Sequence, residues 1–336
     1  MKSQDTLNDF KNQLARQQME AEVAMGVRRL SYEGFKRKAR AHQIDFRENE
    51  LEVGFDTFPN VLPESKAREG LIFFKGFREE IMAELKKPVA PTSTHYSGQM
   101  LTNLLRSEHI PYNIFFPMKK DMEGTKRLFN KILGKEEISS IEAIKIEYHP
   151  IPIQEYLDDH TSFDVYIPYW NQSNQRCGIG IEVKYTEKEY PLKPGTAEYK
   201  HVKDASGRTC LSGPYLDVTR RCGYYKPDVT DKKLTSNKFR QIWRNHILGA
   251  SMVLHGDIAT FTGVTLFPQE NVHFSMDAMP EYKEKLTDEY YNSCVPLSYE
   301  NLFDLMGECL CLEKKEEWIE YLKRRYLINY FEGVMK

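Results

Sequence analysis

No stretch of this chain approaches the roughly 18 consecutive apolar residues that a membrane-spanning helix needs, and no secretory apolar segment follows Met1. A cytoplasmic location is therefore the expectation, with no membrane partner. The six cysteines form no CxxC pair. Cys309 and Cys311 stand too close together and too isolated for a zinc site, so buried free thiols are expected. A surplus of charge is also missing. With a net charge of −2 there is no global basic signal, and any polyanion must be met by a local patch. Internal repeats and low-complexity tracts are absent. What remains is 336 residues, 40% of them hydrophobic, enough for one large domain or two modest ones with a real core. The 29% charged content and mean hydropathy of −0.60 speak for a soluble protein.

Residues 5–45 are polar and rich in helix formers, with Leu7, Phe10, Leu14, Ala21 and Met25 spaced for one weakly apolar face. Residues 1–94 thus read as a mainly helical extension outside the main core, ending in turn-rich stretches at 56–65 and 87–94. The pattern then becomes denser. A helix is expected over 97–105, capped by Ser97, and another over 124–133. Three strand-like runs follow at 141–148, 162–170 and 177–186. A strong helical pattern covers 236–254, an apolar strand 258–267, and helices 299–306 and 316–331. Helix, three strands, helix, strand predicts an α/β fold with a mixed central sheet flanked by helices. The core then spans 95–270 with an insertion at 187–235, and 271–336 forms a helical part packed on it.

Charged residues inside the apolar runs carry the chemistry. Asp164 lies in Ser162–Trp170, and Glu182 and Lys184 lie in Cys177–Thr186, with seventeen residues between Asp164 and Glu182. Strand side chains alternate, so Glu182 and Lys184 share one face while Ile179, Ile181 and Val183 share the other. If the runs pair, Asp164 stands beside that charged face. Two carboxylates there can hold a divalent cation, with an ammonium near a bound water. A solvent-facing Glu–Lys ladder on an edge strand is the bland alternative. Against it, the strand is apolar enough to be central, and Gly180 leaves space on the charged face for a ligand or backbone.

Phe163-Asp164 followed by Ile181-Glu182-Val183-Lys184 resembles the PD-(D/E)xK, or restriction-endonuclease-like, nucleases, over roughly residues 95–270. Their common core is αβββαβ, the order read above. A bacterial group within that superfamily resembles the chain most, through Ser97-Gly98-Gln99, an acidic Glu147 on the first strand, and Gln241-Ile242-Trp243-Arg244-Asn245 after the lysine. The motif's proline is absent, since Phe163 precedes Asp164 and the nearest proline is Pro168. The resemblance implies that Asp164, Glu182 and the Val183 carbonyl bind Mg²⁺, with Mn²⁺ as the other candidate. It implies that Lys184 orients or helps deprotonate the attacking water. Glu147 is either a third ligand or a cap for its strand end. Gln99 bonds either the first ligand or a nucleotide.

Arg244 shares a helix face with Gln241, and either meets a phosphate or is salt-bridged to the sheet edge. From Lys188 to Arg244 there are 13 lysines and arginines against 6 acidic residues, with tyrosines at 190, 199, 215, 224 and 225 interleaved. Such a stretch suits a phosphate backbone and unstacked bases; otherwise it is a solvated loop. The expectation is an endonuclease-like phosphodiesterase acting on nucleic acid, DNA first, as a homodimer or a complex subunit. The alternative is a non-catalytic nucleic-acid-binding or assembly protein with the same fold.

Overall fold

The computed structural model describes residues 31–93 and 97–328. Five helices come first: α1 (Tyr32–Asn49), α2 (Glu64–Arg68), α3 (Arg78–Leu85), α4 (Ile110–Met118) and α5 (Met122–Leu133). Strands β1 (Ile138–Ile141), β2 (Lys145–Tyr148), β3 (Phe163–Asn171) and β4 (Arg176–Val183) follow. The insertion holds α6 (Ala197–Val202), α7 (Gly213–Arg221) and α8 (Asp231–Leu234). The chain continues through α9 (Arg240–His255), β5 (Phe261–Phe267), α10 (Met279–Lys283), β6 (Cys294–Ser298), α11 (Tyr299–Cys309) and α12 (Lys315–Tyr326).

The expected α/β architecture is present. Six strands form one mixed sheet in the order β1-β3-β4-β5-β6, with β2 also pairing β3. Strands β1 to β4 pair antiparallel, whereas β5 and β6 run parallel to β4, because α9 crosses over between β4 and β5. The single run expected at 141–148 is two strands laid end to end against β3. Pro168 explains the break. Its carbonyl accepts from Glu142 N–H at 2.9 Å, so its missing N–H faces the same outer strand, and the ladder stops there. Strand β6 was unforeseen because Pro296 argues against a strand; as an edge strand it tolerates one.

Two apolar cores sandwich the sheet. Val165, Ile179, Ile181 and Val183 join the larger one with side chains of α1, α4, α5, α11 and α12, including Phe35, Phe115, Leu128, Phe303 and Trp318. Phe163, Tyr166 and Phe261 join the other, with Trp243 and Ile247 of α9. Helix α1 is therefore built into the main core through Phe35, Ala39 and Phe46 and does not lie outside it. It is tied to α12 where Gln43 Nε2 donates to the Arg325 carbonyl at 2.6 Å. Residues 5–30, and the helical stretch expected beyond residue 328, lie outside the described residues.

Residues 97–105 form turns, not the expected helix. Asn103 Oδ1 accepts from Leu105 N–H at 3.1 Å, and the backbone of Leu62 and Leu104 bonds across between this segment and residues 60–62. A side chain that bonds its own backbone competes with helix formation. Ser97 caps nothing here: its hydroxyl donates to Glu108 Oε2 at 2.7 Å. The insertion is no solvated loop either. Val202, Leu211, Tyr215, Val218 and Tyr224 are buried in the second core.

Candidate active site

The register of β3 against β4 sets the site. Val165 pairs with Ile181 at the end of the antiparallel ladder, and Asp164, the residue just beyond, lies close enough to Glu182 to feel its charge. Glu182 points to the α9 side, where Asn245 meets it. Two carboxylates are thus close neighbours at the end of the paired strands. Asp164 Oδ2 accepts the Val183 amide N–H at 2.6 Å, which fixes its rotamer. Val183 is thereby seen to enter the site through its N–H, with its side chain in the larger core.

Glu182 is gripped at both oxygens. Lys184 Nζ donates to Oε1 and Asn245 Nδ2 to Oε2, with the Lys184 side chain 4% exposed and that of Glu182 13%. Asn245 is the residue the sequence reading left without a role. Its signal was position: it lies three residues after Ile242 and four before Gly249, within the buried stripe of α9. Gly249 is itself required there, since a Cβ would come within 2.2 Å of the Phe261 ring, and this close approach brings Asn245 down onto the sheet. Gly180 has the same kind of reason. Its missing side chain leaves no ligand space, because a Cβ would meet Phe163 at 2.6 Å and Phe261 at 2.8 Å.

Glu147 stands at the end of β2 with φ of 55°, beside this pair. Its Oε2 lies 3.5 Å from the Ser162 hydroxyl, at the limit of a hydrogen bond. Burial, then the charges of Glu182 and Glu108, push its carboxyl up to about 8. Burial followed by the charges of Glu182 and Glu147 drives Asp164 well above the usual carboxylate range. Lys184 feels the opposite balance. Burial opposes its charge, but Glu182, Tyr190 and Asp164 outweigh that and hold it above its ordinary value. Acidic groups outnumber the one cation. Hard oxygen donors crowded against their own repulsion are the kind of set that a divalent cation relieves. Among the described residues, no group of three or more His, Cys, Asp or Glu side chains stands arranged to hold a metal ion.

The other expected contacts fall elsewhere. Arg244 is committed to a buried tie: it lies 2.9 Å from Asp159 and 3.1 Å from Glu198, and donates to Tyr215 Oη at 2.8 Å. Burial alone would raise Asp159, yet Arg244, Tyr215 and Thr161 hold its carboxyl below its usual value. The acidic partners of Arg244 stand in the loop before β3 and on α6, not at the sheet edge. Gln99 is exposed in the turn at 97–105, and Gln241 is half-buried in the first turn of α9. Of the five interleaved tyrosines, Tyr215 and Tyr224 are core residues and Tyr225 bonds Tyr282 Oη at 3.0 Å.

Among the described residues no helix is long and apolar enough to cross a membrane. No curated protein and no solved structure matches the chain. A family model described as the PD-(D/E)XK nuclease superfamily matches residues 31–328.

Proposed function

Because the chain belongs to the PD-(D/E)XK nuclease superfamily, we propose that it is a metal-dependent, endonuclease-like phosphodiesterase acting on nucleic acid, with DNA as substrate. The membership supports a nuclease-type activity. The observation that supports the finer reading is the closeness of Asp164 to Glu182 at the end of the β3–β4 ladder, with Lys184 on Glu182.

Asp164, Glu182 and the Val183 carbonyl would hold Mg²⁺ or Mn²⁺, which supplies an activated water and neutralises phosphate charge. Glu147 contributes a third carboxyl beside them. Lys184, kept protonated by its acidic neighbours, acts as a fixed positive charge toward the phosphate and not as the base. Asn245 positions Glu182 by holding the oxygen that Lys184 does not. The Val183 N–H orients Asp164.

The test is incubation of plasmid, single-stranded DNA and RNA with Mg²⁺ or Mn²⁺, using wild type, Asp164→Ala and Lys184→Ala. Metal-dependent cleavage by wild type alone supports the proposal. Equal cleavage by all three proteins indicates a contaminant and sinks it, and cleavage of RNA alone overturns the choice of DNA.

A further inference from the structure

One aromatic ring at this site is left uncovered. Tyr190, six residues beyond Lys184, is 38% exposed, whereas Tyr215 and Tyr224 of the same insertion are buried. Lys184 Nζ lies 5.4 Å from its ring centroid. The exposed ring rests on a firm base. Arg240 donates to the Tyr190 carbonyl, and Arg240 is itself buried, 2.6 Å from Glu198 and 2.6 Å from Asn237 Oδ1. Arg106, half-exposed and 3.0 Å from Glu108, precedes Ser107, whose N–H donates to Glu187 Oε1 at 3.1 Å, three residues before Tyr190. A large ring whose backbone is anchored beside the candidate site, with surface left to solvent, has a face to offer a ligand.

We propose that Tyr190 is a stacking platform for an unpaired nucleobase beside the phosphate at Asp164 and Glu182, with Arg106 on a flanking phosphate. The site then takes single-stranded or frayed nucleic acid in preference to closed duplex. In a duplex both faces of a base are covered by its neighbours, so the ring has nothing to bind until a base is free. Stacking of one base on an aromatic side chain contributes about 1–3 kcal/mol and is indifferent to sequence. This rests on the nuclease reading for the position of the phosphate.

The test is equilibrium binding in EDTA by the full chain, using DNA and RNA oligonucleotides that carry 2-aminopurine, each single-stranded or in blunt duplex. Wild type should quench the fluorescence and bind single strands at least about ten-fold more tightly than duplex, a ratio within the range of one stacked base. Tyr190→Ala should lose the quench and about ten-fold in affinity, while Tyr190→Phe keeps both. Equal binding of duplex and single strand, no binding of either, or an unchanged quench in Tyr190→Ala would overturn the platform. Failure of the nuclease reading alone has a different signature: binding and quench persist, but adding Mg²⁺ or Mn²⁺ brings no cleavage.

Discussion

Two clusters of charge lie between the sheet and α9, and they are built on opposite accounts. In one, Asp159 and Glu198 meet Arg240 and Arg244, two anions against two cations, within 2.6–3.1 Å. In the other, Asp164, Glu182 and Glu147 crowd one another, and Lys184 meets the first two. The carboxyl of Asp159 is held below its usual value, while that of Asp164 is driven well above it. Burial alone does not separate a structural tie from a reactive site; the balance of charge does. The balanced cluster anchors the insertion to α9. The unbalanced one fits an incoming cation.

The contrast breaks most visibly at Arg244. Arg244→Ala strands Asp159, while Glu198 keeps Arg240, so denaturant melts should show a loss of about 3–5 kcal/mol, the cost of breaking a buried ion pair. A loss below about 1 kcal/mol would place the pair with exposed ones. Asp164→Ala should do the reverse. Metal-dependent cleavage falls by more than about 100-fold, beyond the loss typical of an outer-shell partner, while the melting temperature holds or rises because an uncompensated carboxyl is gone. Kinetics and thermal melts on the same protein check both halves.

The acid limb of the stability curve sharpens the comparison. Burial pushes His246 down to about 3, where it sits between Tyr282 and Ser293. A folded value below the ordinary 6.5 means that its contribution is whole above pH 6.5 and is lost as pH falls toward 3. At about 1.36 kcal/mol per pH unit, the loss reaches about 2 kcal/mol by pH 5. Asp159 adds a second step below its ordinary 3.8. Stability measured against pH should lose the upper step in His246→Gln and the lower one in Arg244→Ala. Smallest is the effect of Asn245→Ala, which frees one oxygen of Glu182 and should lower kcat about 10-fold, as outer-shell changes do, with little change in KM. An unchanged kcat would leave Asn245 a packing residue.

Much of this was legible in the sequence. Alternation along β4 placed Glu182 and Lys184 on one face, and the apolar runs fixed the order of strands and the crossover through α9. What was not legible depended on partners distant in the chain. The break in the outer strand comes from Pro168 on its neighbour. The space expected at Gly180 is filled by Phe163 and Phe261. The partners of Arg244 were not legible because Asp159 and Glu198 lie 85 and 46 positions away from it. The expected helix at 97–105 failed because Asn103 bonds its own backbone, a local contest that apolar spacing does not register.

Binding of Mn²⁺ by calorimetry, with wild type and Asp164→Ala side by side, tests most directly whether Asp164 and Glu182 form a cation site. The account predicts one site in wild type that releases protons on binding, since burial and neighbouring carboxylates favour the protonated forms of Asp164 and Glu147, and no binding in the variant. Equal binding by both proteins, or none by wild type, would contradict it.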